Sequence, residues 1–109
     1  MDSFNDRLGL QLEADGTLTM DPRPEHEVAP GVVHFAVLAT LAEIAAARST
    51  GTAVMPAQVS LSLLRRAGGA MLTARGRVLK SGRTLIVAEG EVLQGGELVA
   101  KAVVTFARS

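Results

Sequence analysis

Cysteine, tryptophan and tyrosine are absent from this 109-residue chain, and aromatic residues make up only 3% of it. The lack of cysteine excludes disulfides, thiolate zinc sites and a cysteine nucleophile, and two histidines leave little for a metal cluster. No metal or other cofactor is expected, so catalysis must rest on carboxylates, hydroxyls or backbone amides. With so few aromatics there is little on which bases could stack, and nucleic acid is not an expected partner. Long apolar runs are missing too. The longest near-continuous one, residues 28–47, is broken by Pro30, His34, Thr40 and Glu43, so neither a bilayer-spanning helix nor a membrane partner is expected. Residues 1–7 have neither the basic start nor the apolar core of a secretory signal, which points to a cytoplasmic protein.

What is present is a 48% apolar fraction, enough for one folded domain over residues 1–109. The formal charge is zero, with eleven acids against eleven bases, but the charges are segregated. Residues 1–27 hold seven acids and two bases, and residues 28–109 hold four acids and nine bases. No acid falls between Ile44 and Ala88, while Arg48, Arg65, Arg66, Arg75, Arg77, Lys80 and Arg83 do. Such a field could hold a phosphorylated ligand or could be a solvated sheet face.

Periodicity divides the chain into three parts. Residues 1–27 form an acidic strand or hairpin region: the stretches from Leu8 to Glu13 and from Thr17 to Asp21 alternate on either side of Asp15-Gly16, a turn signal. Residues 33–49 are alanine-rich, lose the period of two and stop at Gly51, which predicts one central helix. Residues 56–107 hold four alternating runs, namely 57–63, 71–79, 84–93 and 98–106. The glycine-containing turns between them are too short for crossovers, so the strands are antiparallel.

At about 100° per residue, Val37, Leu38, Leu41, Ile44 and Ala45 collect on one side of the helix, expected to lie against the concave face of the sheet. The other side presents Ala36, Ala39, Thr40, Glu43, Ala46, Ala47 and Thr50. Its small residues let another backbone approach, and Glu43 is the only acid between Val28 and Ala88. Glu43 is then either a solvated helix residue or part of a covered site.

The segment from Gly31 to Glu43, GVVHFAVLATLAE, resembles the motif of PaaI-type and 4-hydroxybenzoyl-CoA thioesterases, G-x-x-H-G-G followed by an apolar helix start and L-A-[DE]. Val59 to Ala67 is similar to the N-x-x-[FY]-[LM]-R-P-A strand of that superfamily, Val78 to Thr84 to its V-x-x-x-G-[RK]-[TS] hairpin, and Leu98-Val-Ala100 to its G-x-L-[VI]-A strand start. The resemblance runs over about residues 30–107. It implies an α+β hotdog fold, an antiparallel sheet of five to six strands wrapped around the alanine-rich helix. It further implies hydrolysis of a small or aromatic acyl-CoA, with Glu43 as base or nucleophile and the Phe35 backbone N–H as the oxyanion hole. His34 takes the motif histidine's place, either bonding backbone at the start of the helix or serving in acid/base chemistry. Ala36 and Thr40 line the implied substrate groove, and Arg65, Arg66, Lys80 and Arg83 are candidates for the phosphates of coenzyme A.

Phe35 and Glu43 are eight residues apart, about 12 Å along a helix at 1.5 Å per residue. One thioester carbonyl needs both groups within roughly 3 to 3.5 Å. Two antiparallel helices, each offering its Glu43 to the other's N-terminus, satisfy both requirements and give two equivalent sites in a homodimer. A single helix is also too narrow to cover five or six strands, and pairing of such dimers into a homotetramer is the habit of the superfamily.

Three positions depart from the pattern. Phe35-Ala36 replaces the glycine pair, Val28 stands where an Asn or Gln would hydrogen-bond, and the place of an assisting Ser or Thr falls near Pro56 or Ala47. Two other functions therefore compete with hydrolysis. One is non-catalytic binding of acyl-CoA or an acyl carrier on the same fold. The other is acyl-CoA hydration or dehydration, disfavoured because the Asp/His pair of hotdog hydratases has no counterpart at a matching spacing.

Overall fold

The computed structural model describes residues 3–109. Ten of its elements are regular: helices α1 (Phe4–Leu8) and α2 (Phe35–Ser49), and strands β1 (Gln11–Leu12), β2 (Leu18–Met20), β3 (Glu27–Ala29), β4 (Val32–Val33), β5 (Val54–Leu63), β6 (Leu72–Ser81), β7 (Leu85–Gln94) and β8 (Glu97–Arg108). Six strands form one antiparallel sheet in the order β1-β2-β6-β7-β8-β5, and β3 pairs with β4 in a separate ribbon. The α+β class with a single antiparallel sheet around a central helix is what the sequence led us to expect.

Helix α2, about 22 Å long at 1.5 Å per residue, crosses the concave face mainly over β6, β7 and β8. It buries Val37, Leu38, Leu41, Ala42, Ala45 and Ala46 against Leu72, Ala88, Val92, Ala102, Val104 and Phe106. Two of these residues depart from the expected faces. Ala46 is fully buried rather than on the outer side, and Ile44 is only half-buried. The reason lies in the sheet: Gly76 and Gly90 are register partners in β6 and β7. A Cβ on Gly76 would lie 2.0 Å from the Ala45 carbonyl oxygen, and one on Gly90 1.9 Å from that of Ala42. Bare backbone there lets the helix sink onto the sheet through its alanines, which shifts the contact stripe toward Ala42, Ala45 and Ala46.

Strand β5 is an edge, and α2 hardly covers it. Pairing with β8 aligns Val59, Leu61 and Leu63 with Val104, Ala102 and Ala100, all on the concave side, yet Val59 and Leu63 are 45% and 52% exposed. A ten-residue unpaired edge beside an uncovered apolar strip is a surface that proteins ordinarily cover.

The chain before α2 differs most from expectation. Residues 11–20 do form a strand pair, but it is preceded by α1, which the alternation did not predict. Ser3 and Asp6 close a reciprocal capping box, and Gly9 ends α1 in the left-handed conformation. His26, expected to be solvated in its loop, is instead buried. Its Nδ1 accepts the Arg23 N–H at 3.0 Å, so Nε2 carries the proton and donates to the Arg7 carbonyl at 2.9 Å. The Arg7 carbonyl also receives the Arg23 guanidinium at 2.8 Å. A five-residue helix has little stability alone, and these two donors, with buried Leu8, fasten its C-terminal end to the body of the protein.

Candidate active site

Four backbone amides open α2, and each needs a partner that the helix cannot supply. The His34 amide donates to the His26 carbonyl at 2.9 Å, and the Val37 amide to the His34 carbonyl at 3.0 Å. The Ala36 amide donates to His34 Nδ1 at 3.0 Å, which makes His34 the N-cap. Only the Phe35 amide has no acceptor among the described residues. It stands at the positive end of a fifteen-residue helix dipole, where developing negative charge is stabilised.

Cavities open on both sides of the Phe35 peptide. One, about 400 Å³, touches His34, Ala36 and Val37 and is bordered by Phe4, Arg7 and Leu8 of α1. The other, about 340 Å³, touches Phe35 and Leu38 and runs along the end of β5 to Arg65 and Arg66. The Phe35 ring stacks on His34 with centroids 4.8 Å apart and remains 55% exposed.

Glu43 lies two turns further along α2, half-buried on the small-residue face with Ala36, Ala39, Thr40 and Ala47. Burial pushes its carboxyl above the usual carboxylate value of 4.5. Among the described residues its oxygens have neither a hydrogen bond nor an ion pair. The Thr40 hydroxyl donates to the Ala36 carbonyl at 2.7 Å. Along the helix the Phe35 amide and Glu43 are about 12 Å apart by helix rise.

The basic candidates separate into two groups. Arg65 and Arg66 follow the end of β5 that pairs with Ala100, whereas Lys80 and Arg83 belong to the β6–β7 hairpin, whose Leu85 pairs with Ala107. Seven residues of β8, about 23 Å at 3.3 Å per residue, lie between these ends. The continuous field read from the sequence is therefore divided, and it is also partly neutralised. Arg75 and Arg77 meet their register partners Glu91 and Glu89 on the convex face, at 2.9 and 2.6 Å, and Lys101 joins Glu89 at 3.0 Å. Arg65 pairs with Glu97. Arg66, Lys80 and Arg83 have no ion pair among the described residues.

Of the departures from the superfamily pattern, Val28 is exposed on β3, and Pro56 lies beside a bulge in edge strand β5, where its missing N–H does no harm. No three His, Cys, Asp or Glu side chains converge among the described residues as a metal ion requires, and no helix there is long and apolar enough to cross a membrane.

Comparison with curated proteins gives no match. The sequence model of the acyl-CoA thioesterase N-terminal domain matches residues 24–107. Among solved structures, a thioesterase-superfamily protein shares 29% identity at a TM-score of 0.88, over 99% of this chain and 90% of that one. A mutant of the phenylacetic acid degradation protein PaaI from Thermus thermophilus shares 26% identity at 0.84, over 99% of this chain and all of that one. A Bacillus halodurans protein solved with CoA shares 21% identity at 0.85, over 98% of this chain and 76% of that one. This chain belongs to the acyl-CoA thioesterase N-terminal domain family and has the hotdog fold.

Proposed function

We propose that the protein hydrolyses a small or aromatic acyl-CoA thioester at a site shared by two subunits. The observation that carries this reading is the pairing, on one helix, of an unclaimed amide at Phe35 with an unclaimed, desolvated carboxylate at Glu43. The thioester carbonyl oxygen accepts the Phe35 N–H of one subunit. Glu43 of the partner subunit then acts in one of two ways. It takes a proton from the water that attacks the carbonyl carbon, or it attacks directly to give an anhydride that water opens. Either way the C–S bond breaks, the sulfur leaves as the thiol of coenzyme A, and the acyl group leaves as a carboxylic acid. The 12 Å separation within a subunit supports antiparallel pairing of two α2 helices across their alanine faces. Val59 and Leu63 on edge strand β5 are exposed as well, apolar surface that a second subunit would cover. CoA is bound in the Bacillus halodurans structure, which supports the same class of ligand here.

Antiparallel pairing also brings the Lys80 and Arg83 end of one subunit toward the Arg65 and Arg66 end of the other, so the divided basic residues belong to one phosphate-binding surface in the dimer.

The test is release of free thiol from a panel of acyl-CoAs that varies chain length and aromaticity, with Glu43→Ala beside wild type. Turnover that falls about 10²-fold or more in the variant is expected for a positioned acid/base group. The exposed Phe35 ring beside the amide favours one other reading, a non-catalytic acyl-CoA binding module. Wild type that binds acyl-CoA and hydrolyses none establishes that reading instead.

A further inference from the structure

We propose that Gln94 is a positioning residue for the site: its side-chain amide holds the loop between β5 and β6 in the shape that sets Arg66 and the Phe35 amide relative to one another. This rests on the reading of the Phe35 N–H as the oxyanion hole and of Arg66 as a coenzyme A contact.

The loop, residues 64–71, brings Leu64, Arg65, Arg66 and Ala67 to the groove of about 340 Å³ that Phe35 and Leu38 also line. Packing does little to hold it there. Leu64 and Met71 are 53% and 51% exposed, Gly68 and Gly69 have no side chain, and Ala67 alone is buried. Hydrogen bonds fix the loop instead, from two directions. At its start, the Leu64 and Arg65 amides both donate to the Val99 carbonyl, at 2.9 and 3.2 Å. Further along, Gln94 Oε1 accepts the Gly68 amide at 2.9 Å, while Nε2 donates to the Gly68 carbonyl at 2.9 Å and to the Ala70 carbonyl at 2.7 Å. One side chain thus serves both backbone groups of Gly68 and a third at Ala70. Only a primary amide carries donor and acceptor side by side in this way, and asparagine is one methylene shorter.

These bonds reach the site along two short paths. Ala67, next to Gly68, accepts the Val33 amide at 2.9 Å, and Val33 immediately precedes His34, the N-cap whose ring takes the Ala36 amide. Arg66 precedes Ala67 on the other path. A shift of Gly68 therefore moves the guanidinium offered to the phosphates and the entry of α2 together. The anchor belongs to the sheet, since Gln94 and Glu97 are register partners across the tight turn of Gly95 and Gly96, both at positive φ.

The experiment measures, on the full chain, the dissociation constant of coenzyme A by calorimetry, kcat on the best-hydrolysed acyl-CoA, and Tm. Gln94→Met keeps the length of the side chain without its hydrogen bonds. Gln94→Glu keeps an acceptor for the Gly68 amide but turns an oxygen toward the two carbonyls. Both should weaken coenzyme A about fivefold, the upper worth of one exposed ion pair. Both should also lower kcat by about 10- to 10²-fold, as misalignment of up to roughly 1 Å does. Because the binding loss acts through Arg66, the double variant Arg66→Ala with Gln94→Met should bind coenzyme A no more weakly than Arg66→Ala alone. Glu91→Gln, on the same strand but bonded to Arg75 on the convex face, should change neither quantity. Should Gln94→Met not fold, Gln94→Glu, which keeps one bond, decides the same comparisons. Gln94 variants with wild-type affinity and kcat overturn the proposal, as do losses that add to that of Arg66→Ala or that Glu91→Gln reproduces. Wild type that binds coenzyme A but hydrolyses nothing removes the thioesterase reading, and the affinity comparisons then decide the role of Gln94 by themselves. Wild type that binds no coenzyme A overturns both.

Discussion

Gly76 and Gly90 face each other across β6 and β7 directly beneath α2, and each leaves room that a methyl group would take from a helix carbonyl. The obstacle in both cases is backbone, which cannot rotate aside. Gly90→Ala should destabilise the protein by about 3 kcal/mol, the upper range for overpacking. That corresponds to a fall in Tm of more than roughly 10 °C for a domain of this size. Thermal unfolding followed by circular dichroism measures it, and an unchanged Tm would show that helix and sheet can separate without loss. The same depth sets how far Glu43 projects from the opposite side of α2, so activity should fall further than stability alone accounts for.

The outer face of α2 should be an interface. Ala39→Arg places a long cation among Ala36, Thr40 and Glu43 without touching the core, since Ala39 is only half-buried. Light scattering at micromolar concentration should give a dimer or tetramer for wild type and a monomer for the variant. Hydrolysis should fall about 10²-fold or more, because each half-site then lacks one of its two groups. A monomeric wild type would remove the two-subunit site.

Arg65 and Arg66 are adjacent in sequence but should not be equivalent. Arg65 is engaged by Glu97, whereas Arg66 is free of ion pairs among the described residues. Arg66→Ala should therefore weaken coenzyme A more than Arg65→Ala, and the affinity lost should shrink at high salt, as screened surface charge requires. Equal effects, or affinity indifferent to salt, would return the whole cluster to a solvated surface.

Helix α2 and strands β5 to β8 were legible in the sequence because each spans enough residues for its period to show. Helix α1 has five residues, and strands β3 and β4 have three and two, too few for any period. The Ser3-x-x-Asp6 spacing was the one signal that could have revealed α1. His26 was misread for the same reason, since part of what buries it is α1. Glu43 stood out as a lone acid, but two features of the site needed geometry. The resemblance implied the Phe35 amide, but that it stays free depends on the His34 ring taking the Ala36 amide instead. Which arginines stay unpaired depends on the register that sets Glu89 and Glu91 opposite Arg77 and Arg75.

Phe35→Gly tests the other half of the site. Removing the ring keeps the amide and should widen the approach to it, so bulky or aromatic acyl-CoAs should gain in kcat/KM relative to short ones. Glycine at a helix start costs about 0.5 to 1 kcal/mol in backbone freedom, visible as a small drop in Tm. A uniform loss across all acyl groups would mean that the ring binds substrate rather than obstructing it.

Glu43 should leave its mark on the pH profile. As base or nucleophile it must be ionised, and burial holds its carboxyl above the ordinary value of 4.5. The acid limb of kcat/KM should thus lie above the usual carboxylate range, with activity lost as pH falls through it. Stability should move the other way. A raised native value means that the folded chain holds this proton more tightly than the unfolded chain does. The contribution of Glu43 to folding therefore becomes more favourable as pH falls through the raised value toward 4.5, and it is a penalty at neutral pH, where the buried group is charged. Glu43→Gln keeps the shape and removes that penalty. It should raise Tm at pH 7, lose the advantage below about pH 4.5, and abolish turnover at both. A variant with unchanged kcat would exclude the carboxylate mechanism, whatever its Tm.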